Sequence, residues 1–303
     1  RRTKRQVRCK GSFMTTTKFQ YKKLIEQMFN VVLYVTFGVV LLFLLLVLVV
    51  IFKNSMGTMS WRFLTALPEN GMKEGGIFPM LVGTVFVTFV ASLSAIPVGI
   101  CSGIYLQEYA RDTFATRLIR MSIRNLSAVP SIVYGLFGLA IFVKTLNLGT
   151  SVLSAGLTLG LLTLPVIITT TEEALKTVPR SFKDASYALG MTPWQVLYST
   201  TLPVALPGIM TGVILGISRA MGETAPILFT GVAFYLPSVD FNVFAQFMAL
   251  PYHLYIMSTQ HHDIEGVRGI AYGTASVLIL LTLMLNVLAS GIRYRFRRGY
   301  QGL

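Results

Sequence analysis

Charged positions in this chain are gathered rather than scattered. Tracts free of Asp, Glu, Lys and Arg run over residues 27–52, 75–107, 125–143, 145–171, 185–218, 224–239 and 270–292. A helix crosses the ~30 Å hydrocarbon core with roughly 20 apolar residues at a rise of 1.5 Å each, and several tracts exceed that. A transmembrane barrel would alternate over shorter segments, and no such alternation is present. The pattern predicts an all-α, polytopic membrane helical bundle with six transmembrane helices, at about 31–52, 77–103, 125–143, 152–171, 203–222 and 270–292. Pro97 should bend the second span or open its backbone. The short turn Asn147-Leu148-Gly149 makes spans three and four an antiparallel hairpin. Gly208, Gly212 and Gly216, spaced by four, predict a helix-packing face on the fifth. Segment 224–260, with Pro226, Pro237 and Pro251, predicts a re-entrant or interfacial element.

Composition agrees. Of 303 residues, 53% are hydrophobic and 13% charged, against about 25% charged in a soluble domain. The net charge of +14 changes the picture only through its placement. Arg1, Arg2, Lys4, Arg5, Arg8, Lys10, Lys18, Lys22 and Lys23 precede the first span, and Arg293, Arg295, Arg297 and Arg298 follow the last. Basic flanks are topology signals that also favour anionic membrane lipids; without a reading motif they do not imply nucleic acid. With the N-terminus inside, the external segments hold only Lys53, Arg62, Lys73, Lys144 and Arg268, so both termini are expected in the cytoplasm. The apolar run after Asn30 is longer than a signal-peptide core and no small-residue cleavage site follows it, so no cleavable leader is expected. Cys9 and Cys101 have neither metal-ligand spacing nor a shared environment that suggests a disulfide.

Candidate chemistry is sparse. Asp184-Ala185-Ser186-Tyr187-Ala188-Leu189-Gly190 reads as a short helix with Asp184 near its N-terminal end and Gly190 as a positive-φ cap. Thr192 and Pro193 then suit the cap and first residue of another helical turn. This is either a knob for another protein's cleft or an ordinary interfacial loop helix. Arg219 and Glu223 are four apart and share one helical face. Ionisable groups in a span are costly and usually face a bundle interior or a polar path. A guanidinium can grip two oxygens of an oxyanion with Glu223 orienting it; the pair also suits a purely structural role. His253, placed in a loop, and the adjacent His261, His262 and Asp263 read as a solvated or interfacial cluster, not a metal site. Arg111, Arg117, Arg120 and Arg124 read as contacts to lipid head groups or a cytoplasmic partner. Glu108, Glu172 and Glu173 are membrane-edge carboxylates without a nucleophile–base pair. No Gly-x4-Gly-Lys-Ser/Thr sequence occurs, so the chain should not bind ATP itself. Three classes stay open: a transporter subunit, a membrane-embedded enzyme acting on lipid phosphates, and an uncoupled anion channel or scaffold.

The 184–203 segment resembles the EAA loop of bacterial ABC-importer permeases, in which Glu-Ala-Ala, three residues and Gly precede Ile-x-Leu-Pro by nine residues. Asp184, Ala185, Ser186 and Gly190 match the first part and Thr200, Leu202 and Pro203 the second, with Asp, Ser and Thr as departures. Within that family the chain is similar to the phosphate-transport permeases through Val129-Pro130-Ser131-Ile132-Val133-Tyr134-Gly135-Leu136-Phe137-Gly138, Leu206-Pro207-Gly208-Ile209, Ser218-Arg219-Ala220-Met221-Gly222-Glu223-Thr224-Ala225-Pro226 and Tyr272-Gly273-Thr274-Ala275. The resemblance covers roughly residues 20–298. It implies a type I ABC-importer permease fold in a bacterial cytoplasmic membrane, with no cofactor or metal in this chain. It divides the chain into a basic lead-in (1–30), a permease domain (31–292) with a cytoplasmic coupling helix at about 184–200, and a basic tail (293–303). It places Arg219, Glu223 and Thr224 on the substrate pathway. It assigns docking of the ATP-binding subunit to Asp184, Ala185, Ser186, Leu189 and Gly190. The implied partners are a second, homologous permease subunit, an ATP-binding subunit dimer that carries ATP and Mg, an extracytoplasmic phosphate-binding protein, inorganic phosphate and membrane lipids.

Overall fold

A computed structural model describes residues 15–300. The expectations for the basic stretch 1–14, including Cys9, and for residues 301–303 fall outside the described residues. The chain forms two units, Arg1–Lys53 and Asn54–Leu303. The first holds nearly all of α1 (Thr15–Ser55), whose Leu/Val run is apolar on every side, as suits a helix in lipid.

In the second unit, α2 (Trp61–Thr65) starts at Ser60, whose hydroxyl accepts from the Phe63 amide at 3.1 Å. The strands β1 (Pro68–Glu69) and β2 (Glu74–Gly75) pair antiparallel across a turn in which Asn70, Gly71 and Met72 all have positive φ. Then come α3 (Phe78–Ile104) and α4 (Phe114–Leu126). Next are α5 (Ser131–Gly138), α6 (Val152–Lys176), α7 (Arg180–Ala188) and α8 (Pro193–Val196). The order closes with α9 (Leu202–Gly222), α10 (Ala225–Thr230), α11 (Leu250–Thr259) and α12 (Ile264–Tyr300). Three helices carry π-helical turns: Tyr105–Tyr109 ends α3, Leu139–Thr145 extends α5, and Leu197–Thr201 joins α8 to α9.

Among the described residues five helical stretches are long and apolar enough to cross a membrane, and six if the bent pair α4 and α5 is one span. The third span is where expectation and structure part. Residues 125–126 finish α4, and the chain turns by 103° before Ser131. Pro130 explains the break: it lacks an amide proton and biases Val129 away from helical backbone. α4 is held separately by its own N-cap, Thr113, whose hydroxyl accepts from the Thr116 amide at 3.3 Å. Pro97, by contrast, lies within α3 without ending it. The turn before α6 behaves as expected, with Asn147 and Gly149 at φ 52° and 68°.

α6 is the central helix, packed against α3 and α9 and buried over most of its length. Lipid is as apolar as Leu, so close packing and polar contacts hold such helices together more than apolar burial does. The expected glycine face of α9 supplies that closeness: a Cβ on Gly212 would run into Thr170 of α6. Hydroxyls within the spans bond to their own helix, Thr84 to Met80 O and Thr158 to Ser154 O, both at 2.7 Å, which satisfies them away from water. Segment 224–260 is the short α10, a loop and α11. The loop caps α6, with Val152 and Leu153 amides donating to Ala245 O and Val243 O at 2.9 and 2.8 Å, so helix-end donors that water cannot reach are still paired.

Candidate functional site

Arg219 lies in the last turn of α9, and Glu223 is the first residue past it. Arg219 Nε donates to Glu223 Oε1 at 3.3 Å, with the carboxylate more sheltered than the guanidinium, 18% against 40% exposed. A cation at a helix C-terminus is favourable by itself, which accounts for part of the arrangement. The rest concerns the free edge. The carboxylate holds the Nε side, and the two terminal nitrogens have no hydrogen-bond partner among the described residues. Thr224 begins α10, and its hydroxyl makes no cap bond. A planar pair of donors, oriented from behind and open in front, matches two oxygens of a tetrahedral oxyanion.

The fold brings two separate sequence segments to this place. α10 follows Glu223 directly and packs on α5, where a Cβ on Gly135 would stand 3.0 Å from Ala225 O and 3.1 Å from the Pro226 Cα. Gly135 therefore permits backbone contact that any side chain would spread. The 129–138 and 218–226 stretches, more than 80 positions apart at their centres, thus form one corner.

The second candidate region is α7 with the turn after it. Here the structure corrects the sequence: Asp184 lies mid-helix, because the helix starts at Arg180 behind Pro179. Pro179 sets the helix start better than Asp184 could, since its ring disfavours helical backbone at the residue before it. The C-terminal end is as expected. Gly190 has φ 79°, its amide donates to Tyr187 O at 2.9 Å, and the Met191 amide donates to Ser186 O at 3.2 Å, the paired bonds of a Schellman ending. Thr192 and Gln195 cap α8 reciprocally at 2.8 and 3.4 Å. Asp184, Ala185, Leu189 and Gly190 are exposed, with Leu189 at 79%. Ser186 is not. It is buried, with Oγ 2.8 Å from Thr200 Oγ1, so it fastens the helix from beneath instead of meeting a partner.

Several charged side chains that pattern alone left solvated are paired with one another, some of them sheltered and some at the surface. Arg120 pairs with Glu172 at 3.2 Å and also donates to Leu106 O, so it does not serve a lipid head group. Arg117 is held in two bonds of 2.8 Å by Asp112; that pairing lowers the Asp112 pKa. Glu108 accepts two bonds from Lys183, at 2.7 and 2.9 Å. The histidines also differ from expectation. His253 is buried on α11, not in a loop, and its Nδ1 is 3.2 Å from Thr274 Oγ1. His261 is buried as well, bonded to Gly71 O and the Asp263 amide at 3.0 and 3.1 Å. These pairings join positions as far as 190 apart, and composition at the tract borders was their only sequence signal.

Comparison with known proteins bears on the family and the fold. Residues 95–301 match the family described as binding-protein-dependent transport system inner membrane component. The chain is 34% identical over 248 residues to a probable ABC transporter permease protein, YqgI, of Bacillus subtilis, covering 78% of this chain and 84% of that one. It is 36% identical over 229 residues to the phosphate transport system permease protein PstA 1 of Mycobacterium tuberculosis, covering 75% and 73%. In three dimensions it is similar to a chain of the inward-facing MetNI methionine ABC transporter, with a TM-score of 0.58 at 19% identity over 73% of this chain and 97% of that one; that likeness concerns the fold. On the length of these matches, the chain belongs to the binding-protein-dependent transport system inner membrane components, the permease subunits of ABC transporters.

Proposed function

We propose that this chain is a membrane permease subunit of an ATP-driven importer that carries inorganic phosphate into a bacterial cytoplasm. The observation that carries the substrate is the Arg219 guanidinium, braced by Glu223 on one edge and open on the other, with Thr224 following Glu223 in the chain. Relatives named as phosphate permeases support the same reading. The readings as a lipid-phosphate enzyme or an uncoupled channel or scaffold give way to the family membership.

On this reading a second, homologous permease completes the pathway, and an ATP-binding subunit dimer holds ATP and Mg and docks on Asp184, Ala185, Leu189 and Gly190. An extracytoplasmic phosphate-binding protein delivers substrate. Both termini are cytoplasmic, as the excess of Lys and Arg near them supports. Glu223 itself repels phosphate, so its part is to aim Arg219 and to give way when the anion arrives. The decisive test is phosphate uptake by the reconstituted complex carrying Arg219→Ala. Uptake should fall by about two orders of magnitude, in line with loss of a charge-assisted pair of bonds, while the subunits still co-purify. Normal uptake in an intact complex would remove Arg219 from the pathway.

A further inference from the structure

α7 makes two polar side-chain contacts beyond its own neighbourhood, counting the described residues. Each ends on a π-helical turn. Lys183 Nζ meets both oxygens of Glu108, at 2.7 and 2.9 Å, in the turn that closes α3. Ser186 Oγ meets Thr200 Oγ1 at 2.8 Å in the turn that opens into α9. The ion pair is well sheltered, 19% and 17% exposed, and joins positions 75 apart. Such a pair is short, directional and costly to break.

π turns are uncommon and concentrate at working parts of proteins, because their looser bonding lets a helix change register locally. The turn at Leu197–Thr201 shows that looseness. Its closing bond runs from the Leu202 amide to Leu197 O, and the buried Thr201 hydroxyl is left without a partner. A threonine hydroxyl in a regular helix reaches a carbonyl one turn back, so tightening the turn would supply the missing bond. The turn at Tyr105–Tyr109 is tied on its other side, where Arg120 of α4 donates to Leu106 O and pairs with Glu172 of α6.

From this arrangement, and resting on the docking role proposed for α7, we infer that Glu108 and Lys183 are positioning residues that pass movement of the docked α7 into α3. The Ser186–Thr200 bond does the same for α9. The ion pair is the stiffer link, since it is bidentate and charged. Its loss should leave the ATP-binding subunit docked and hydrolysing but poorly connected to the spans.

The test is the number of phosphates taken up per ATP hydrolysed by the complete reconstituted complex. Glu108→Gln and Lys183→Met should retain the ATP-binding subunit and its hydrolysis within about twofold. The uptake ratio should fall by about tenfold or more, the size of an ordinary coupling between sites. Exchanging the charges, Glu108→Lys with Lys183→Glu, should recover most of the ratio. An unchanged ratio in the single variants, or no recovery in an exchanged pair that assembles, overturns the inference. Failure of both single variants and exchanged pair to assemble makes the contact a folding element and overturns it too. If instead a complex with Glu108 and Lys183 intact retains its ATP-binding subunit after Leu189→Asp and Gly190→Arg, the docking site is elsewhere. The proposed docking role then fails, and the inference with it.

Discussion

Arg219 and Glu223 show what spacing can and cannot say at the scale of single residues. Their separation by four placed them on one face, and the 3.3 Å contact is there. The uneven shelter of the two groups, which leaves the guanidinium edge open, is not a matter of spacing and is seen only in the fold. His253 is the opposite case. It stands in a segment punctuated by Pro226, Pro237 and Pro251 that reads as a loop, and nothing local tells that α11 and α12 close over it. That burial, with a smaller contribution from His261, lowers its pKa to about 4, in a helix outside the candidate spans. The unfolded chain binds the proton more readily, at the ordinary value of 6.5. The neutral ring's stability is therefore present above pH 6.5 and lost as pH falls from there toward 4. At pH 5 the loss amounts to about 2 kcal/mol. The melting temperature of the purified protein should drop by several degrees between pH 7.5 and 5, and His253→Gln should flatten that dependence. An equal drop in both proteins would show that other groups govern it.

At the scale of elements, long apolar runs and caps were legible because their causes are local. The Gly190 ending and the Thr192–Gln195 cap followed from a few adjacent residues. The third span did not, because an uncharged tract hides the turn at Pro130 when hydropathy alone is read. The π turns have no sequence signature of that kind; they arise where packing forces an extra residue into a turn. Gly190 permits a clean test of the docking surface. Nothing lies within 4 Å of a Cβ there, while φ is 79°, so a larger residue costs about 1–2 kcal/mol of backbone strain and meets no internal clash. Gly190→Arg should therefore still yield a folded permease that assembles with its membrane partner. Recovery of the ATP-binding subunit in a pull-down should nevertheless fall at least tenfold. Full recovery with the variant would place docking on another surface.

At the scale of the molecule, membrane crossing was plain from charge placement, and family membership settles the class of protein. The close approach of α9 to α6 was legible in the spacing of Gly208, Gly212 and Gly216, but how α3 joins them was not, because hydropathy does not say which face of an apolar helix meets which neighbour. Charge placement also predicts which ends face the cytoplasm. With Cys9 and Cys101 replaced by Ser, a single cysteine at Asn147 should react with a membrane-impermeant maleimide in spheroplasts. One at Leu189 should react only after lysis. The reverse labelling pattern would invert the topology.

The shortness of the third crossing has a consequence of its own. Ser131–Gly138 and Leu139–Thr145 contain eight and seven residues, so they reach at most about 22 Å, roughly 8 Å less than the hydrocarbon slab. A rod that short is matched to the slab by local thinning of the bilayer or by cover from neighbouring helices. Where the bilayer thins to meet it, Arg219, in the last turn of α9 and 40% exposed, lies nearer to water, and an anion taking the proposed route would shed less of its hydration before contact.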